Sequence, residues 1–212
     1  MLIAPIDDSP LSLEEMRLGP GHTLALAEDD ADALLYVYDG SALLELSARE
    51  HRLERRTAAL VLSGEDATLT GAESGVSLVC GRVGPSADRH APLGEREVVT
   101  RLDGANASVA TGARSFDVLF GPGNGSTRAT LFMGFVPPGK APWHFHLYDE
   151  IVWIPEGTGR LHLEDRVDDL AHGSAFRLRP RQVHIVENSG ADTLEVLGLF
   201  TPAGSPSAAY LA

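Results

Sequence analysis

The apolar residues of this chain come in short runs, and nearly every run is closed by Gly, Pro, Asp or Asn. In the first half they read "HTLALA", "ALLYVYDG", "SALLELS", "AALVLSG" and "GVSLVCGRV"; in the second "FDVLFG", "RATLFMGFV", "EIVWIPEG", "GRLHL", "AFRLRP", "VHIVEN" and "TLEVLGLF". Runs this short, β-branched and often alternating, are what strands of a sandwich or barrel require. The 22 glycines and 13 prolines lie in small clusters along the whole length, as many tight turns would need. The pattern predicts an all-β fold. Helical signals are weak, and "LSLEEMRLG" near the start is the best place for a turn or two of helix. "GPSADRHAPLGE", Gly84 to Glu95, reads as a linker between the halves. "FGPGNGSTR", Phe120 to Arg128, is glycine-rich but lacks the Lys-Ser/Thr of a phosphate-binding loop and precedes a strand, so it reads as a turn.

A net charge of −13 argues against nucleic acid as a partner, because phosphates need a basic face. Lys140 is the only lysine. Cys80 is the only cysteine, which excludes an internal disulfide and a Cys-rich metal site; its run "GVSLVCGRV" predicts a buried, inert thiol. The start "MLIAPIDDSPLSLEE" lacks the basic-then-apolar pattern of a signal peptide. No stretch approaches the roughly 18 apolar residues of a membrane helix. The expectation is a cytoplasmic protein with no membrane partner, in which the acceptor patterns at Asn106 and Asn124 carry no glycan.

The halves resemble each other. With Gly40 placed on Gly157, an offset of 117 residues, "YVYDGSALLEL" lies over "WIPEGTGRLHL", Leu53 over Leu170 and Val61 over Leu178. A constant offset with matching apolar positions suggests duplication of one β unit.

Within the second copy stands "PWHFHLYDEIVWIPEGTG", Pro142 to Gly159. Residues i and i+2 of a strand point to one side, so His144 and His146 project together while Trp143 and Phe145 face away. "LYD" makes a short turn, after which Glu150 opens "EIVWI" and an antiparallel neighbour brings its carboxylate beside the imidazoles. Two His and one carboxylate on a rigid β surface form a facial site with open positions, suited to Fe(II), Mn(II) or a neighbouring metal. His184, in "RPRQVHIVEN", offers a fourth ligand.

With these residues in place the chain resembles the cupin superfamily, specifically a two-domain bicupin. The family's first motif, Gly-x5-His-x-His-x3/4-Glu-x6-Gly, is met by His144, His146, Glu150 and Gly157, with Gly139 one residue late. Its second, Gly-x5-Pro-x-Gly-x2-His-x3-Asn, is met by Gly173, His184 and Asn188, whereas Arg179 and Arg181 occupy the Pro and Gly places around Pro180. The resemblance implies two tandem cupin (double-stranded β-helix, or jelly-roll) barrels. Residues 1–95 would form a degenerate barrel and residues 96–212 a metal-binding one. It implies one divalent transition metal per chain, Fe or Mn ahead of Zn or Ni, held by His144, His146, Glu150 and His184. At the same offset those four positions fall on Ala27, Asp29, Ala33 and Ala67, which cannot hold a transition metal, so the first barrel is expected to be metal-free.

Cupins serve as dioxygenases, decarboxylases, isomerases, lyases and hydrolases and also as sensors and storage proteins, and fold does not choose among them. The leading expectation is an enzyme acting on a small oxygenated substrate, with dioxygenation of an enol, phenol or diketone-like compound first. Redox-neutral lyase, isomerase or decarboxylase chemistry comes next, then a non-enzymatic sensing module. Glu150 is the candidate catalytic base. Phe132, Phe135, Trp143 and Trp153 are the expected lining, with Tyr148 close by; Arg160 and Arg177 are candidates to hold a substrate carboxylate; Asp149 and Asn188 are candidates to orient the ligating imidazoles. His22, His51, His90, His162 and His172 read as surface residues. Open sheet edges are most often covered by symmetric pairing, so a homodimer is the expected assembly.

Overall fold

The computed structural model describes residues 9–26, 30–104, 107–109 and 113–212. Among them there is no helix, and so none long and apolar enough to cross a membrane. The first half runs β1 (Leu11–Leu18), β2 (Thr23–Ala25), β3 (Asp32–Leu46), β4 (Arg49–Glu54), β5 (Thr57–Val61) and β6 (Ala67–Val83). Then come β7 (Val99–Arg101), β8 (Ser108–Val109), β9 (Ser115–Phe120), β10 (Thr130–Val136), β11 (Gly139–Lys140) and β12 (His144–His146). The chain continues with β13 (Asp149–Glu156), β14 (Gly159–His162), β15 (Val167–Leu170), β16 (Ala175–Leu178), β17 (Ile185–Asn188), β18 (Leu194–Thr201) and β19 (Ala209–Leu211).

The helix expected in "LSLEEMRLG" is instead β1, paired antiparallel with β6 along its whole length. Its Leu residues decide the matter. Leu11 and Leu13 alternate onto one buried face, a period-2 pattern that a helix would scatter around its circumference. The segment from Gly84 to Glu95 holds no strand, and "FGPGNGSTR" joins β9 to β10.

Strands β1 to β7 make one antiparallel sheet, in order β1-β6-β3-β5-β7 with β2 on β6 and β4 on β3. The second half builds a sheet β16-β13-β18-β10-β9-β8, a second sheet β11-β17-β14-β15 and the pair β12-β19. The offset seen in the sequence reappears as hydrogen-bond register. Adding 117 to both partners turns Ala33↔Val61 into Glu150↔Leu178, Ala42↔Leu53 into Gly159↔Leu170, Ala42↔Gly71 into Gly159↔Asn188, and Thr23↔Thr70 into Lys140↔Glu187; all are observed pairs. Between β13 and β18 the match slips by one residue.

Turn conformations repeat as well. Gly40 and Gly157 both have positive φ, as do Arg56 and Gly173, and Gly64 and Arg181. At Gly40 a Cβ would sit 2.2 Å from the Gly75 carbonyl oxygen, so the close passage of β3 and β6 needs glycine there. Arg56 and Arg181 hold left-handed backbone without being glycine, at roughly 1–2 kcal/mol each.

The core has three large clusters and a small aromatic one of Phe116, Phe132, Tyr148 and Phe200. Leu35, Val37, Leu44, Leu53, Leu69 and Leu78 pack inside the first half. Leu13, Leu34, Met133, Ile151, Trp153 and Leu199 belong to a cluster shared by both halves. Val152, Ile154, Leu161, Leu178 and Val186 pack inside the second half. Cross-links follow the shared layer: Arg128 lies 3.5 Å from Asp32, both buried, and Arg56 lies 2.9 Å from Glu195. Cys80 is a buried thiol. Ala33 and Ala67, the first-half counterparts of Glu150 and His184, are buried in the apolar packing there; Ala27, Asp29 and Asn106 lie outside the described residues.

Candidate metal centre

The three histidines arrive from two short segments that bridge each other. His144 and His184 exchange both backbone hydrogen bonds, at 3.2 and 2.9 Å. His146 follows two residues on, so the side chains of His144, His146 and His184 converge. One ligand atom from each lies within 4.8 Å of the others, and all three residues are buried.

Each imidazole is oriented by backbone. The Nδ1–H of His144 donates to Pro142 O at 3.1 Å, that of His184 to Gln182 O at 2.9 Å and that of His146 to Ala208 O at 3.4 Å. With Nδ1 engaged in this tautomer, the lone pair resides on Nε2 of every ring, the state needed to bind a cation. Asp149 and Asn188 do not orient these rings. Asp149 takes a two-pronged grip from Arg177 and a hydrogen bond from Ser9 Oγ at 2.7 Å. Asn188 donates to Val136 O and Asp192 O and receives Gly190 N–H, pinning a turn.

Glu150 stands beside the trio rather than within it. Its Oε2 is 3.9 Å from His146 Nε2, and no described residue donates a hydrogen bond to it. Burial, with a smaller push from Asp149, raises its carboxyl to about 8. Burial lowers all three histidines, His146 to about 4 and His184 to about 3; Arg114 adds a smaller push in the same direction. Three neutral imidazoles and an uncompensated buried carboxyl are costly without a cation, and the donor set suits a divalent transition metal.

The space in front of the rings is a cavity of about 90 Å³. Phe132, Val152, Leu178, Val186 and Val196 wall it, with Phe116 and Phe135 at its border, and Arg114 is the one arginine among the lining residues. Tyr148 stacks on His146 on one side and on Phe200 on the other. Gly198 leaves room behind Glu150: a Cβ there would lie 2.2 Å from Phe132 Cε1 and 2.8 Å from Glu150 Oε1.

Several expected neighbours lie elsewhere. Trp153 is fully buried but packs in the core shared by the halves, against Tyr38, because it sits three residues after the inward-facing Glu150 and so on the opposite face of β13. Trp143 is outside the cavity and half exposed. Arg177 is spent on Asp149, and Arg160 lies outside beside Asp169. Arg114 was not singled out by any motif; it immediately precedes β9, thirty residues before the first histidine. The tail was missed too. β19 pairs with β12, Ala208 orients His146, Pro206 O accepts from Tyr148 OH at 3.5 Å, and Pro206, Ser207 and Ala209 line the cavity. Of the remaining histidines, His162 is half-buried on Glu187, and His172 donates to Pro155 O while packing against Tyr38 and Trp153.

The strands around these rings, β10 through β18, coincide with the segment matched by a known family model, described as the cupin domain and covering residues 131–200. That segment is similar to a cupin domain. Solved structures extend the fold likeness across nearly the whole chain. A Bacillus subtilis oxalate decarboxylase with Mn(II) centres superposes with TM-score 0.73 over 96% of this chain and 71% of its own, at 16% identity. A Pseudomonas aeruginosa protein described as glyoxylate-induced does so with TM-score 0.80 over 95% and 79%, at 19% identity. At these identities the likeness is one of fold, the cupin jelly roll. No curated protein matches the sequence. Both ends of the histidine set lie in the matched segment, which excludes Arg114 and the tail, both of which line the cavity.

Proposed function

We propose that the chain is a bicupin in which residues 1–95 and 96–212 form one cupin unit each and only the second holds a metal. The repeated strand register supports two units, and the alanines at 33 and 67 support an empty first one. In the second, His144, His146 and His184 would hold one divalent metal, Fe or Mn before Zn or Ni, with Glu150 as fourth ligand or as base.

The function we infer is that of a metal-dependent enzyme acting on a small carboxylate-bearing substrate. One observation carries it: three buried imidazoles, each with Nδ1 tied to a backbone carbonyl, face a small cavity that also holds Arg114. The metal would supply Lewis acidity or a site for O2. Arg114 would take the carboxylate of the substrate, in the two-pronged geometry guanidinium favours. The apolar walls exclude water and strengthen both interactions. Glu150 Oε2, held near neutrality by burial, is placed to accept or return a proton. Redox-neutral cleavage or isomerisation of an organic acid fits Arg114 best, and the reaction named for the oxalate decarboxylase neighbour is in keeping with it. The apolar walls favour the second reading, dioxygenation of an enol or diketone.

Elemental analysis of protein purified without a metal-affinity tag tests this, with His146→Ala alongside. One Fe or Mn per chain, absent from the variant, is the expected result; metal in the variant, or two per chain, would overturn the assignment. Small organic acids screened with and without O2 then separate the two reaction classes.

A further inference from the structure

Arg181 stands in a position built for glycine. Its φ is +67°, and its counterpart at the 117-residue offset is Gly64, with φ +78°. The chain contains one parallel case. Arg56 has φ +66°, its counterpart is Gly173 with φ +83°, and its guanidinium is used: it grips Glu195 across the core shared by the halves. Arg181 has no such use within the molecule. Among the described residues neither its guanidinium nor that of Arg179 has a hydrogen-bond or ion-pair partner, and both residues are exposed. Strained backbone kept for a side chain with no hydrogen-bond or ion-pair partner among the described residues points outward, to a ligand.

The surroundings fit an anion. Arg179 and Arg181 flank Pro180 at the edge of a surface cavity of about 770 Å³, whose other charged walls include Arg166 and Arg177. Asp168 and Asp169 line it too; Arg166 pairs with Asp168, Arg160 lies 3.4 Å from the exposed Asp169, and Arg177 pairs with Asp149. Two guanidinium groups are thus left over at one rim of a molecule whose net charge is −13. Their turn is fixed from behind, since Gln182 N–H donates to Arg179 O at 3.0 Å and Gln182 Oε1 accepts Arg179 N–H at 3.0 Å. Two forked donors carried on one fixed turn suit a carboxylate or phosphate.

We propose that the Arg179–Arg181 turn is a binding site for a small oxyanion, a carboxylate or a phosphate, separate from the histidine cavity. The same turn is the outer support of the histidines: Arg181 N–H donates to His146 O at 2.6 Å, and Gln182 O accepts from His184 Nδ1 at 2.9 Å. An anion held at Arg179 and Arg181 therefore stiffens the backbone that positions two of the three rings. Only this last consequence rests on the metal reading; the anion site itself does not.

The test is calorimetric titration of the metal-free full chain with inorganic phosphate and, separately, with malonate, beside Arg181→Gly and Arg179→Ala. Saturable binding of either probe is expected, weakened at least tenfold in each variant; which probe binds identifies the source of the oxyanion. Arg181→Gly is expected to match or exceed the parent's melting temperature, because glycine relieves the left-handed backbone. The bound probe should also slow hydrogen exchange at the Arg181 amide. Binding undiminished in Arg181→Gly, no saturable binding in the millimolar range, or saturation without added protection of that amide would each overturn the proposal. Loss of metal uptake by the parent chain would overturn the metal reading instead and leave the anion result standing.

Discussion

Glu150 offers the most direct handle on the site, because its effect on the metal-free protein has a calculable size. It is 3% exposed, receives no hydrogen bond from any described residue and has a carboxyl raised from 4.5 to about 8 by burial. A carboxyl whose folded value is raised contributes stability that is fully present below the unfolded value and is lost as pH rises through the folded one. The histidines run the other way. Their folded values lie below 6.5, so their contribution is intact above that pH and is lost as pH falls. Above pH 6.5 the histidines are therefore flat and Glu150 is isolated. From 6.5 to about 8 is roughly 1.5 pH units, worth roughly 2 kcal/mol at about 1.36 kcal/mol per unit. Urea unfolding of chelator-treated protein at pH 6.5 and at about pH 9 should show a loss of that order. Glu150→Gln should abolish it, and a divalent metal should reverse its sign by favouring the ionised carboxylate. An equal loss in wild type and Glu150→Gln would refute the reasoning, since the slope would then arise elsewhere.

Gly198→Ala forces a methyl against Phe132 and Glu150, so it should cost about 1–3 kcal/mol by urea unfolding and displace Glu150 enough to weaken metal uptake in a competition titration. Deleting residues 205–212 removes the strand paired with β12 and the acceptor for His146; metal affinity should fall on the order of ten- to a hundredfold, and a peptide of residues 202–212 should restore part of it. Arg114→Lys should keep metal content unchanged and raise KM for a carboxylate substrate more than it lowers kcat, because lysine keeps the charge and loses the fork.

The histidine set was readable because a strand imposes a period of two and the resemblance to the cupin motifs added fixed spacings, so His144, His146 and His184 could be placed from positions alone. The repeat was readable for the same reason: glycines at 40 and 157 mark bends, and apolar positions either side keep step. The misplacements of Trp153 and Arg177 were avoidable. Glu150 facing inward puts Val152 and Ile154 on its side and Ile151 and Trp153 on the other, and Leu178, paired with Glu150, puts Arg177 outside. Trp143 likewise shares the outward parity of Phe145. Arg114 and the tail were out of reach. They approach the rings from segments thirty residues before His144 and more than twenty after His184, brought there by strand order and by closure of β19 on β12, neither of which any local pattern encodes.

Strand β13 shows why site and fold are specified together. From Glu150 to Ile154 every side chain is buried, one face toward the cavity and the second-half core, the other toward the layer shared with the first half. A slip of one residue would exchange the faces, sending Glu150 into an apolar layer and an indole toward the histidines. Both ends of the strand resist that slip. Gly157 turns with φ +94° where a Cβ would come within 2.9 Å of Leu194 Cα, and Asp149 at the other end is held by Arg177 and Ser9. Trp153 adds the bulk that only the shared layer can accept. The carboxylate thus stands beside the imidazoles because the tryptophan three residues later packs in the layer shared by the two halves.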